Sequence, residues 1–442
     1  DNDPLVIVMH TFRYLTFVMS TYRTLGIVDH TVLFHRMKQE ADALFELANS
    51  SWAELEEELR RVLKCTARFG PRKSLRRIGE NNGFMSVCCL LRPDWIGVTE
   101  GLPKSIVYKF SYKGGLVDLE ENFVMMGQLN DKVVQKALMK SNNTEGVFYS
   151  LIDPEHANWL RIPRPYSHKR IIGSDDVGHL MMQYIEGMSF ECHENNKVDE
   201  VKQILPSIAR LQCLSVKDNL TSVDEFQWNP WVTIGQCVLT PKVARKVLSD
   251  IPAVYGDEFI PLINILLENM DEIYDLSTPM HELNEMSSVL VHGDIWQANT
   301  IWAYGKDRPR TLKVIVDWQS THVGSPSEDL VFLLCCSLSG DDRRDHWQEL
   351  LKELYDLITI EMAPGKPDFT LDEMIASWHR LFPSIGLVVL MRFSVIFKCS
   401  SPALPPDQRE ASSLQIARKL LYLAEDVVES FAKSRSIRYR NQ

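Results

Sequence analysis

With 442 residues, 45% of them hydrophobic and 24% charged, the chain has an ordinary globular composition and length enough for two packed lobes; disordered and collagen-like classes are excluded. Its formal net charge of −11, from 59 acidic against 48 basic residues, argues against broad electrostatic binding to nucleic acid or an anionic membrane. Nine cysteines, an odd count with no Cys-x-x-Cys pair, read as reduced thiols of a cytosolic protein and suggest no zinc site.

The first 50 residues read as an appended segment, helical around Phe34 to Leu47. Ser51-Trp-Ala-Glu54 is a capping box, and Trp52, Leu55, Leu59, Val62 and Leu63 follow at helical spacing. From about Lys64 to Leu91 glycines punctuate short β-prone pieces, including Ile78-Gly-Glu-Asn-Asn-Gly83. Ser105-Ile-Val-Tyr-Lys-Phe110 predicts a strand carrying a lysine inside an apolar run. A helical stretch ending near Phe148-Tyr149 precedes another strand, His179-Leu-Met-Met-Gln-Tyr-Ile185. Beyond Glu186-Gly187 the pattern changes to long helices, marked by Val201, Ile204, Leu205, Ile208 and Leu211, and later by Trp347, Leu350, Leu351, Leu354 and Leu357. Two short apolar runs lie between them, Val289-Leu-Val291 and Val314-Ile-Val316, each ending in a polar cluster. The run Ile385 to Phe397 contains Arg392 and reads as a buried helix, too short for a membrane span. A strand-rich N-lobe over 51–187, a hinge near 186–190 and a helix-rich C-lobe over 188–442 predict a bilobal α+β protein.

Val289-Leu-Val-His292-Gly293-Asp294-Ile-Trp-Gln-Ala-Asn299 sets an Asp five residues before an Asn, after an apolar strand and a His. That is the spacing of a kinase catalytic loop, where the Asp reaches the substrate hydroxyl and the Asn reaches a metal on the phosphates. Asp317 follows Asn299 by 18 residues, at the end of the strand-like Lys313-Val-Ile-Val. There its carboxylate can meet Mg²⁺, which needs few carboxylates when phosphate oxygens and water complete its shell. Taken singly, His292-Gly293-Asp294 is equally a turn and Asp317 a strand-end cap. Together and in this order they favour phosphoryl transfer.

His292-Gly-Asp-Ile-Trp-Gln-Ala-Asn299, with Val316-Asp-Trp-Gln319 and Gly324-Ser-Pro-Ser-Glu-Asp329-Leu330, resembles the CHK kinase-like family, over roughly residues 51–430. That family includes the ecdysteroid kinase-like proteins and is related to choline kinases and aminoglycoside phosphotransferases. The resemblance implies a protein-kinase-like fold and ATP-dependent, magnesium-dependent phosphorylation of a small-molecule alcohol. It implies that Asp294 is the base, that Asn299 and Asp317 hold the metal, that His292 buttresses the loop and that Asp329 bonds the loop backbone. Ser325-Pro-Ser-Glu328 reads as a capping box opening the helix that carries Asp329.

In the N-lobe, Lys109 is the candidate phosphate-binding lysine, because burying a lysine is costly unless an anion meets it. An edge-strand lysine facing water is the alternative. Glu145 is its expected carboxylate partner, although Gly146 next to it weakens the helix that would carry it. Gly79 and Gly83 are candidates for the loop over the phosphates. Met182, Gln183 and Tyr184 would form a hinge strand whose backbone bonds adenine. Trp296, Trp302 and Trp318 form either packed core or a wall of the alcohol pocket, including a cation-binding wall, and Trp228-Asn-Pro-Trp231 is a second candidate wall. The rival to an active kinase is a nucleotide-binding pseudokinase acting as a scaffold. A protein kinase is disfavoured, since Asp-Trp-Gln replaces Asp-Phe-Gly and Gly324 follows Asp317 by seven residues, leaving little room for an activation loop.

Overall fold

The computed structural model describes residues 30–79, 85–111, 131–173, 176–237, 240–274, 286–305 and 309–440. The chain opens with two helices, α1 (His30–Ala48) and α2 (Trp52–Val62). Ser51 caps α2, its hydroxyl accepting the Glu54 N–H at 3.3 Å. Both helices pack on a five-stranded sheet of β1 (Ser74–Ile78), β2 (Ser86–Arg92), β3 (Ile106–Ser111), β4 (Pro165–Lys169) and β5 (His179–Gln183). The strand order is β1-β2-β3-β5-β4, with every neighbouring pair antiparallel. Ala41, Leu44 and Phe45 of α1 share one core with Leu55 and Leu59 of α2 and with Leu75, Val87 and Tyr108 of the sheet. The boundary expected at residue 50 therefore cuts through a packed core, and α1 belongs to the N-lobe. The helix α3 (Asp131–Leu151) lies against β4, β5 and the turn at Trp318–Ser320.

Beyond the sheet, the principal helices are α4 (Leu205–Lys217), α5 (Pro230–Cys237), α6 (Pro241–Tyr255), α7 (Glu328–Ser337), α8 (Gly340–Met362), α9 (Leu371–Ser400) and α10 (Pro406–Arg440). Four short strands lie among them as two pairs, β6 (Val289–Val291) with β9 (His322–Gly324) and β7 (Thr300–Trp302) with β8 (Leu312–Ile315). Thr370 and Glu373 cap α9 reciprocally, the Glu373 N–H donating to Thr370 Oγ1 at 3.2 Å and the Thr370 N–H to Glu373 at 2.6 Å. By length and composition α9 is apolar enough to cross a membrane, but 83% of its most apolar window is buried, and it packs on α7 and α10 as a core helix. A strand-rich N-lobe and a helix-rich C-lobe make this a bilobal α+β fold. At the junction, Met188 and Trp302 exchange backbone hydrogen bonds of 3.0 and 2.8 Å.

The start of α7 differs from the expected capping box. The helix begins at Glu328 rather than at Pro326, and Ser325 Oγ lies 3.1 Å from Ser377 Oγ. Glu328 still reaches back to accept the Ser325 N–H at 3.3 Å.

Candidate active site

The strand β6 is buried at all three residues and aims the chain into the turn His292-Gly293-Asp294. Gly293 has φ +77, and a Cβ there would stand 2.3 Å from the Ser320 carbonyl, so no other residue fits. Asp329, near the start of α7, is 1% exposed and accepts the His292 and Gly293 N–H groups at 2.7 and 3.0 Å, the loop-holding arrangement the resemblance implies. Burial pushes the Asp329 carboxyl up, with His292 and these backbone donors opposing. His292 lies 3.1 Å from the Val316 carbonyl, which only accepts, so its Nε2 carries the proton. Its Nδ1 then accepts the Asp294 N–H at 3.2 Å. Burial holds this imidazole below its usual pKa, in keeping with a neutral ring, while Asp329 opposes.

Past a short 3₁₀ turn, Asn299 donates to the Asp294 carbonyl at 2.8 Å and to its carboxylate at 3.3 Å. The Asn299 side-chain nitrogen is thereby committed, which leaves the side-chain oxygen Oδ1 as the donor for a cation. The Asn299 backbone carbonyl accepts the Val316 N–H at 2.9 Å and so ties this loop to the end of β8, where Asp317 takes a left-handed backbone (φ 68, ψ 59). A non-glycine residue held there marks stored strain of the kind found at functional sites. Asp317 lies 2.5 Å from the Lys109 ammonium, and Glu145 lies 2.6 Å from it. Burial works to lower the Lys109 pKa, but Asp317 and Glu145 outweigh it and hold the ammonium charged. Burial likewise pushes Glu145 up against the pull of Lys109.

Gly146 does not interrupt α3, which runs through it. A Cβ there would stand 2.0 Å from the His168 ring, so the glycine lets β4 close on the helix that carries Glu145. Gly79, at φ +67, starts the β1–β2 loop, while Gly83 lies outside the described residues. Met182 and Gln183 end β5, and Tyr184 follows the strand. The Gln183 N–H donates to the Arg164 carbonyl at 2.8 Å, so that donor is already engaged within the sheet.

The three tryptophans are core. Trp302 donates to Thr300 Oγ1 at 2.8 Å, and Trp318 donates to the Ile315 carbonyl at 3.1 Å and stacks on Phe148 at 4.3 Å. Trp296 is fully buried, with the Arg392 guanidinium 4.7 Å above its ring. Trp231 is 3% exposed and donates to Glu328 at 3.0 Å.

Arg392, from the middle of α9, was not among the expected site residues. Both of its terminal nitrogens donate to the two carboxylate oxygens of Asp294. Burial pushes the Asp294 carboxyl up, and Arg392 opposes it. Gln297 was also missed. Fully buried, its amide bridges to the carbonyls of Glu191 and Cys192, both at 3.3 Å. Among the described residues no group of three or more His, Cys, Asp or Glu could hold a metal. A magnesium ion carried by phosphates needs no such group, and the free oxygens of Asn299 and Asp317 suit it.

A family model described as "Uncharacterized oxidoreductase dhs-27" (DUF1679) matches residues 37–435. The uncharacterized kinase-like protein D1044.1 of Caenorhabditis elegans is 22% identical over 293 residues, 64% of this chain and 75% of that protein. The uncharacterized oxidoreductase dhs-27 of Caenorhabditis elegans is 22% identical over 268 residues, which is 59% of this chain but only 32% of that protein. The chain thus aligns with about a third of that relative's length. It is also similar to a microcompartment-associated aminopropanol kinase (12% identity, 85% of this chain and 98% of the other, TM-score 0.43). A choline kinase from Cryptosporidium parvum Iowa II matches with 9% identity, 84% of this chain and 90% of the other, and a TM-score of 0.42. A dinucleotide-binding fingerprint needs Gly-x-Gly after a parallel strand. This chain has no Gly-x-Gly, and its five-stranded sheet is antiparallel throughout.

Proposed function

The chain belongs to the DUF1679 family, and we propose that it is an ATP-dependent small-molecule kinase. The observation that carries this reading is the convergence of Lys109, Glu145 and Asp317 at one ion cluster, with Asp317 tied through Val316 to the Asn299 loop. In this assignment the acceptor hydroxyl oxygen forms a bond to the γ-phosphorus while the bond from that phosphorus to the β,γ-bridging oxygen breaks. Its electron pair leaves with ADP, and the hydroxyl proton passes to the Asp294 carboxylate. Bound Mg²⁺ would offset charge on the β- and γ-phosphate oxygens. Asn299 and Asp317 would hold it, Lys109 would meet the phosphates, and Glu145 would keep Lys109 in place. Gly79, whose positive φ lets the backbone approach closely, would stand beside the phosphates. Adenine would lie against Met182, with hinge donors from Tyr184 onward because the Gln183 N–H is engaged.

One observation favours the rival, a nucleotide-binding module without transfer: Arg392 occupies the Asp294 carboxylate. The binding half of the proposal is tested with Mg-ATP and the melting temperature. A ligand at a hundred times its Kd stabilises by about 2.7 kcal/mol. Mg-ATP is expected to raise the melting temperature of wild type clearly and that of Asp317→Ala much less. An equal rise in both would contradict the metal assignment.

A further inference from the structure

If the chain is a kinase, its acceptor must approach Asp294, and the immediate surroundings of that carboxylate carry information about the acceptor. An ammonium alcohol would look for two things there, a carboxylate and an open aromatic face. Arg392 holds both. Its two terminal nitrogens take the Asp294 oxygens, and its guanidinium lies over Trp296 at 4.7 Å and over Phe332 at 5.8 Å. Three other aromatic candidates are closed as well, Trp302, Trp318 and Trp231 being at most 3% exposed, while Trp228 is half-buried. A guanidinium does not deprotonate to make room for a second cation. It is anchored on α9, most of whose residues from Ile385 to Phe397 are buried. Two of its five N–H groups are bonded to Asp294, and its side chain retains 21% exposure. The rest of the fork can therefore meet an oxygen on the acceptor.

We propose that Arg392 determines acceptor specificity, admitting alcohols with a neutral or anionic oxygen group beside the reacting hydroxyl and rejecting those with an ammonium group there. This rests on the kinase reading above. Arg392 acts on Asp294 and on the acceptor by charge, so a change of its charge should change the choice of acceptor and not only the rate.

The test offers γ-labelled Mg-ATP with an equimolar mixture of ethanolamine, ethylene glycol and glycolate, which differ only in the group beside the hydroxyl-bearing carbon. The quantity read is the ratio of label in the ethanolamine product to label in the two other products and water together. Like charges brought together cost several kcal/mol, so the wild-type ratio is expected to be below about one tenth and to rise at least about tenfold in Arg392→Gln. Arg392→Lys, which keeps the charge, should stay within about threefold of wild type. Two results would overturn the proposal: ethanolamine labelled by wild type at parity with the other acceptors, or an Arg392→Gln protein that melts cooperatively, turns over ATP and leaves the ratio unchanged. The first is decided without any variant. Failure of the kinase reading looks different, since wild type would then release no label to any acceptor or to water, whether or not Mg-ATP stabilises it.

Discussion

At the scale of single residues, the catalytic loop is held by charge placed behind it. Asp329 gives two carboxylate oxygens to two consecutive N–H groups in a site that excludes water. Asp329→Asn leaves one oxygen where two N–H groups point and turns an amide donor toward the other. Because hydrogen bonds to a charged group contribute about 1.5–3 kcal/mol each, this variant should lose about 2–3 kcal/mol in denaturant unfolding and also lose turnover. Unchanged stability would mean that the loop is held elsewhere. The argument that a buried charge requires a partner singled out Lys109 from sequence, and the structure sets it between Glu145 and Asp317. The same argument applies to Arg392, a lone charge in an apolar run, and would have pointed to a carboxylate partner. That the partner is Asp294 was not legible, because the two lie 98 positions apart and meet only where α9 packs on the loop, with Phe393 against Trp296.

At the scale of elements, Gly146 shows a local propensity yielding to packing. In an exposed helix Gly→Ala stabilises by about 0.5–1 kcal/mol. Here the added methyl would meet the His168 ring at 2.0 Å, so the sign reverses. Gly146→Ala is expected to destabilise by about 1–3 kcal/mol and to reduce turnover by shifting Glu145 from Lys109. A stabilised, fully active variant would refute that close approach. A second prediction concerns β9 and α7. His322 Nδ1 donates to the Ser320 carbonyl at 2.8 Å, and its Nε2 lies 3.0 Å from Glu328, within ion-pair distance but not aligned for a hydrogen bond, so the nearby carboxylate favours the imidazolium. Burial opposes this charge, but Glu328, with Asp329 beyond it, raises the His322 pKa above 6.5. Against the cost of its own burial, Glu328 is held below 4.5 by His322. The histidine's contribution is therefore complete below pH 6.5 and lost as pH rises through its raised value. The glutamate's is complete above pH 4.5 and lost as pH falls through its lowered value. The melting-temperature gap between wild type and His322→Gln should be widest between these limits, reflecting about 3–5 kcal/mol for breaking a buried pair, and should narrow toward alkaline pH. A gap independent of pH would show that the ring is neutral. Strands and helices with a clear period were legible from sequence. The start of α7 was not, because Ser325 also meets Ser377, a partner 52 positions away that no local pattern shows.

At the scale of the whole molecule, the bilobal division followed from composition along the chain, since β-prone pieces precede residue 186 and long helices follow it. The placement of α1 did not, because an amphipathic helix at a chain end looks the same whether it packs on its own domain or on something else. The tryptophan cluster was ambiguous for a related reason: aromatic residues near a catalytic motif serve as core or as pocket wall, and only their burial separates the two. Both lobes contribute to one chemical claim, that Lys109 from the sheet and Asp294, Asn299 and Asp317 from the C-lobe act on a shared phosphate. The most direct test is transfer of labelled γ-phosphate from Mg-ATP into a small-molecule extract by wild type and by Asp294→Asn. The predicted result is a labelled low-molecular-weight product from wild type, reduced by about a hundredfold or more in the variant while its nucleotide-induced stabilisation remains. Equal product from both proteins, or stabilisation by Mg-ATP without any transfer by wild type, would contradict the assignment of Asp294 as the base of an active kinase.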